Sequence, residues 1–173
     1  MKRPVLFISM MAVLVVSFAG TAVAARVACD GGKCTGTRFI DVMTGSTRVD
    51  KMYGFGGNDK MNAGHNNDLL VGGSGSDSVE GSFGYDTLYG NSYADTISGG
   101  PANDKIYAGP GTDTVNGGTG NDHVVIAGDP QNDAANCGTG SNDTLVLDFR
   151  ELGGSNLIEY AEQTSCENLT VRR

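Results

Sequence analysis

The chain has 173 residues, with 27 glycines, no tryptophan and a formal net charge of −8. Glycine is costly to order, so this content argues against an ordinary globular core and for backbone conformations that other residues resist. The acidic balance disfavours nucleic acid and anionic membrane as partners and favours cations.

Residues 1–25 read as a secretory signal peptide. Lys2 and Arg3 form the positive start, Val5 to Phe18 the apolar stretch, and Ala22-Val23-Ala24 or Val23-Ala24-Ala25 the small-residue cleavage site. The apolar stretch is short for a span and no basic stop-transfer cluster follows it closely, so no membrane span is expected after cleavage. The expected destination is extracellular. Lys2 and Arg3 fall in this segment, so of 12 basic and 20 acidic residues, 10 and 20 remain from Arg26 onward.

Residues 26–53 form an N-terminal cap with Cys29 and Cys34. Cys137 and Cys166 lie near the other end. Four cysteines in an exported chain suggest two disulfides. Three pairings are possible, of which Cys29–Cys34 with Cys137–Cys166 is the most economical. Asp41 with Met43 and Asp50 with Met52 look like degenerate repeat units, with only Gly36 and Gly45 in register. Such turns would continue a coil and bind metal poorly.

Residues 54–125 are a regular array. Asp59, Asp68, Asp77, Asp86, Asp95, Asp104, Asp113 and Asp122 recur every nine residues. Two residues after each stands an apolar residue, from Met61 and Leu70 to Val115 and Val124, and before each lies a glycine-rich stretch. A fixed period takes precedence over local propensity. Asp-x-apolar-x alternates as a short strand should, and the glycine-rich segment supplies a sharp turn. Strand, turn, strand, turn makes one coil of 18 residues, and coils stack at about 4.8 Å. The aspartates then form two rows, one through Asp59, Asp77, Asp95 and Asp113, the other through Asp50, Asp68, Asp86, Asp104 and Asp122. Carboxylates stacked this closely repel unless a cation sits between them. Oxygen-only ligands suit Ca²⁺ better than Mg²⁺, and three gaps per row give on the order of six ions.

Residues 126–173 read as a C-terminal cap. Cys137-Gly138-Thr139-Gly140-Ser141-Asn142-Asp143-Thr144-Leu145 is one more repeat-like unit, displaced by an insert around Asp129 to Ala135. Thr144 to Phe149 is a plausible strand, and Leu157-Ile158 and Leu169-Thr170-Val171 belong to the cap that a repeat stack needs.

The unit Gly-Gly-x-Gly-x-Asp-x-apolar-x, nearly intact at Gly72 to Glu80 and Gly117 to Val125, resembles the haemolysin-type calcium-binding (RTX) nonapeptide repeat. The resemblance covers about residues 36–125. It implies an all-β fold, a parallel β-roll or right-handed two-sheet solenoid, with calcium held by the repeat aspartates and carbonyls of the glycine-rich turns. The capped layout is similar to small exported actinobacterial calcium-binding repeat proteins. Ala63 and Ala108 replace the first glycine, and Asn66, Tyr93 and Ala102 the third. Asn tolerates a left-handed conformation. Tyr93 and Ala102 do not easily, so sites beside Asp95 and Asp104 are expected to be weaker or differently shaped.

The outward positions differ between sheets. On one, Tyr53, Val71, Tyr89, Tyr107 and Val125 form an apolar-aromatic ladder; on the other, Thr44, Asn62, Glu80, Ser98 and Asn116 are polar. The ladder suits a cell-surface polysaccharide or self-association, or else serves cross-strand pairing alone. No enzyme is expected. His65 and His123 are the only histidines, and neither a His-Glu-x-x-His nor a Gly-x-Ser-x-Gly motif occurs. Ice-binding relatives resemble a run of Thr-Gly-Asn-Asp in alternate turns. Here it occurs once, at Thr119 to Asp122, and His65, Phe83, Pro101 and others interrupt the array.

Overall fold

A computed structural model of the chain describes residues 25–126, 133–148 and 165–172. The expected leader up to residue 24, residues 127–132 of the insert, and Leu157-Ile158 of the cap lie outside the described residues. The strands are β1 (Ala25–Ala28), β2 (Gly32–Thr35), β3 (Asp41–Thr44), β4 (Asp50–Gly56), β5 (Lys60–His65), β6 (Leu69–Ser74), β7 (Ser78–Phe83) and β8 (Thr87–Ser92). They continue as β9 (Thr96–Pro101), β10 (Lys105–Tyr107), β11 (Thr114–Thr119), β12 (His123–Ile126), β13 (Ala134–Asn136), β14 (Thr144–Asp148) and β15 (Asn168–Arg172). Among the described residues no helix is long and apolar enough to cross a membrane.

Odd-numbered strands from β1 to β13 make one parallel sheet, and even-numbered strands with β15 at the end make the other. From β1 to β14 the chain therefore crosses from one sheet to the other between consecutive strands. Register is 18 residues, as in Lys60↔Ser78, Ser78↔Thr96, Leu69↔Thr87 and Thr87↔Lys105. This is the parallel β-roll expected from the period. The register departs from 18 at the two ends: Ala25 faces Asp41 before the array, and after it Thr114 faces Ala134, His123 faces Thr144 and Thr144 faces Asn168, so pairing continues past the insert.

The core is one side chain thick per strand. In one sheet Val27, Met43, Met61, Val79, Ile97, Val115 and Ala135 stack in register, all buried. In the other, Cys34, Met52, Leu70, Leu88, Ile106, Val124 and Leu145 do the same. From Met43 and Met52 onward these are the apolar residues two positions after each aspartate, since alternation along a strand sends every second side chain to the same face. Cys29–Cys34 and Cys137–Cys166 are bonded, with Cα atoms 5.7 and 5.1 Å apart, one clamp at each end.

Candidate metal centre

Each repeat aspartate stands at the mouth of a strand, where the turn hands the chain to the sheet. Asp59, Asp68, Asp77, Asp86, Asp95, Asp104, Asp113 and Asp122 are all buried, none more than 4 % exposed. Their backbone N–H groups lie at the chain's crossing between sheets, where no strand partner is in line. The carboxylate of the next coil meets that need. Asp59 N–H donates to Asp77 Oδ1, Asp77 to Asp95 and Asp95 to Asp113, each at 2.8 Å. The second row repeats this from Asp68 to Asp86, Asp86 to Asp104 and Asp104 to Asp122, again at 2.8 Å. All eight expected residues thus fall into the two expected rows.

One oxygen of each carboxylate is spoken for; in seven of the eight the other is not. Oδ2 of Asp59, Asp68, Asp77, Asp86, Asp95, Asp104 and Asp122 is buried with no hydrogen-bond partner. Buried polar atoms are rarely left so. Burial pushes Asp59, Asp95 and Asp104 up to about 7, and the like charges of their row neighbours add to the rise. Asp68, Asp77 and Asp86 are pushed up to about 6, again mainly by burial. The donated backbone N–H opposes the rise without cancelling it. No Lys or Arg among the described residues pairs with these six; the ion pair Arg48–Asp30, 3.4 Å, lies on the surface.

The glycine-rich turn leaves room beside the orphan oxygen. A Cβ at Gly81 would sit 2.6 Å from Asp86 Oδ2 and 2.6 Å from the Gly99 carbonyl oxygen of the next coil. A side chain there would fill the space between carboxylate and carbonyl. Among the described residues no three His, Cys, Asp or Glu side chains converge on one point. A metal held here would therefore take row carboxylates and main-chain carbonyls. That all-oxygen donor set fits Ca²⁺, which accepts six to eight such ligands in flexible geometry.

The degenerate turns differ in a way that explains their role. Asp41 Oδ2 accepts from Thr37 N–H at 2.6 Å and from its hydroxyl at 3.1 Å. Asp50 Oδ2 accepts from Ser46 N–H at 2.8 Å and its hydroxyl at 2.9 Å. The equivalent residue four before each array aspartate is left-handed instead, as in Gly73 (φ 121), Ser82 (φ 69) and Gly100 (φ 117). In Asn91 (φ 74) that N–H goes to the Ala108 carbonyl, 3.0 Å away, and not to the carboxylate. The first two turns satisfy their carboxylates from within; the turns of Asp59, Asp68, Asp77, Asp86, Asp95, Asp104 and Asp122 do not.

Asn66 (φ 77), Tyr93 (φ 80) and Ala102 (φ 87) all adopt the left-handed conformation that glycine holds in their place elsewhere. For Tyr93 and Ala102 this is strained backbone. Three acidic residues prolong the rows beyond the regular array. Asp113 N–H donates to Asp133 Oδ1, Asp122 N–H to Asp143 Oδ1 and Asp143 N–H to Glu167 Oε2, each at 2.7 Å. Asp143 belongs to the repeat-like unit expected from the sequence; Asp133 and Glu167 do not, although each is followed two residues later by an apolar residue, Ala135 or Leu169, a signal hidden by the broken period. Asparagines preceding the aspartates also bridge coils: Asn58 Oδ1 accepts from Ser76 N–H (3.0 Å) and Asn103 Oδ1 from Asn121 N–H (2.9 Å).

Tyr53, Val71, Tyr89, Tyr107 and Val125 stand side by side on the even sheet, each half-buried. Tyr89 and Tyr107 stack with centroids 4.7 Å apart, and Lys33 Nζ lies 5.3 Å from the Tyr53 ring centre. The most exposed rings, Phe55, Phe83, Tyr85 and Tyr93, lie elsewhere, on or beside the turns. His65 stacks on Phe83 at 4.9 Å. His123 is held below the usual imidazole range by burial, with Arg172 and Lys105 adding to the effect.

A family model described as the RTX calcium-binding nonapeptide repeat (4 copies) matches residues 35–70, 53–88 and 89–124, together more than half of the chain. No curated protein and no solved structure matches it.

Proposed function

This chain belongs to the RTX calcium-binding nonapeptide repeat family, and from that premise we propose that it is a secreted protein whose β-roll folds as its aspartate rows take up calcium. The observation that carries the reading is the set of buried, unpartnered Oδ2 atoms of Asp59, Asp68, Asp77, Asp86, Asp95, Asp104 and Asp122. The residues that would hold the ions are Asp59, Asp77, Asp95 and Asp113 in one row and Asp68, Asp86, Asp104 and Asp122 in the other, with turn carbonyls completing each set. Bound calcium supplies the positive charge these rows lack. The three gaps in each row correspond to on the order of six ions.

The remaining chemistry belongs to the chain. Its Oδ1 atoms fix each carboxylate by accepting a backbone N–H, so the free oxygens are set in place as the coils stack. Without a cation the rows repel or must take protons, and the glycines favour the unfolded chain. In a calcium-poor cytoplasm the chain then stays unfolded and exportable, and outside it folds by coupled binding. The signal peptide expected over residues 1–25 agrees with that route. The role is non-catalytic; His65 is engaged with Phe83.

A second reading, attachment to a surface polysaccharide or to another copy through the Tyr/Val ladder, has one observation in its favour, the continuous half-buried strip. Against it, Tyr89 and Tyr107 spend their ring faces on each other. The test of the main reading is far-ultraviolet circular dichroism of the oxidised full chain, titrated with Ca²⁺, then chelator, with Mg²⁺ in parallel. A reversible coil-to-β change specific to Ca²⁺ is expected. A spectrum indifferent to Ca²⁺ would sink the proposal.

A further inference from the structure

The even row does not stop at the last regular repeat. Asp122 N–H donates to Asp143 Oδ1, and Asp143 N–H donates to Glu167 Oε2. Glu167 thus does for Asp143 what Asp86 does for Asp68 and Asp104 for Asp86. Its position is set from both sides. Cys166, immediately before it, is bonded to Cys137, and β15, immediately after it, pairs with β14 from Asn168 to Arg172.

Asp143 is fully buried, and its Oδ2 has no hydrogen-bond partner. Gly140 lies against this carboxylate, where a Cβ would sit 2.7 Å from Oδ1 and 2.9 Å from Oδ2. β15 is held by its backbone pairing with β14 and by Asn168 Nδ2, which donates to Asn142 Oδ1 at 2.9 Å, more than by apolar side chains. Leu169 and Val171 continue the core columns of Leu145 and Leu147, yet they are 43 % and 38 % exposed. Apolar burial therefore contributes little to docking this strand, and it brings a second carboxylate up to a buried one. Burial, then the charge of Glu167, push Asp143 above the usual carboxylate range.

We propose that Asp143 and Glu167, with carbonyls of the turn 138–142, form a terminal seat for a hard divalent cation that clips β15 onto the roll. The seat uses a glutamate outside the nonapeptide pattern, delivered by the disulfide. It rests on the calcium reading given above. The cation joins two strands whose carboxylates otherwise repel, and the Cys137–Cys166 bond keeps Glu167 within reach while the seat is empty.

The test is Glu167→Gln in the oxidised full chain, beside wild type and Asp86→Asn. Calcium uptake is counted by equilibrium dialysis at neutral pH, and strand protection is read by hydrogen exchange. Glu167→Gln should lose one ion relative to wild type. Residues 168–172 should lose their calcium-dependent protection while β4 to β12 keep theirs. An unchanged ion count with β15 still protected would overturn the terminal seat, as would a uniform loss of protection from β4 to β12. If Asp86→Asn loses ions and Glu167→Gln does not, the seat alone fails. If wild type takes up no calcium, the calcium reading fails and the seat with it.

Discussion

Asp86→Asn should change stability with opposite sign in the absence and presence of calcium. The amide keeps the oxygen that accepts the Asp68 N–H and places an N–H₂ where the orphan Oδ2 stood. That group and the Gly99 carbonyl oxygen are each 2.6 Å from one point, the Cβ position of Gly81, so they share the same small space. In the metal-free roll the carboxylate is pushed from 3.8 to about 6 by burial. A raised folded pKa means that the folded state holds protons the unfolded chain has released. Its contribution to stability is complete below about pH 4 and is lost as pH rises through about 6. At one pKa unit per 1.36 kcal/mol, the ceiling is about 3 kcal/mol, which solvent screening at the turn reduces to about 1 kcal/mol. Metal-free Asp86→Asn should thus be about 1 kcal/mol more stable than wild type at pH 7. With calcium, Asp86 borders the gaps to Asp68 and to Asp104, and each site lost removes about 2.7 kcal/mol at a free ion concentration of 100 Kd. With Ca²⁺, urea unfolding followed by circular dichroism reads the loss; without Ca²⁺, the pH at which β-structure forms on acidification reads the gain, and it should be higher in Asp86→Asn than in wild type. The same sign under both conditions would refute the reasoning.

Other outcomes follow from the same geometry. The metal-free wild type should gain β-structure as pH falls from 7 to about 4, because Asp59, Asp95 and Asp104 sit near 7 and Asp68, Asp77 and Asp86 near 6 when folded. A circular dichroism titration that shows β-structure lost on acidification would contradict this. Ser46→Ala should reduce stability by about 1 kcal/mol without altering the calcium count, since the hydroxyl serves Asp50 and no ion. Ala102→Gly should raise stability by about 1 kcal/mol by relieving a left-handed alanine, measured as a higher urea midpoint with calcium present.

The period alone sufficed for the coil length, the two rows and the core columns. A nine-residue repeat with one apolar side chain admits few closed stackings, and Met61↔Val79 and Leu70↔Leu88 are the pairings it dictates. The row membership of Asp59 to Asp122 follows from the same count. The cysteine pairing does not follow from that count: three pairings are open, and the folded chain bonds Cys29 to Cys34 and Cys137 to Cys166.

What depended on the tertiary structure was the state of each carboxylate. The missing glycines mark the Asp41 turn as degenerate in sequence, but only the structure shows that Thr37 satisfies its carboxylate while nothing among the described residues satisfies Oδ2 of Asp86. That difference arises from the backbone four residues earlier, left-handed at Ser82 and not at Thr37, which decides whether an N–H reaches the carboxylate. Glu167 shows the same dependence over a longer distance. It lies 24 residues after Asp143, outside any period, and only the bond from Cys137 to Cys166 and the pairing of β15 with β14 bring its carboxylate into the row. A repeat specifies what lies one coil away, because stacking translates it; a residue that arrives by a different path is positioned only by the folded chain.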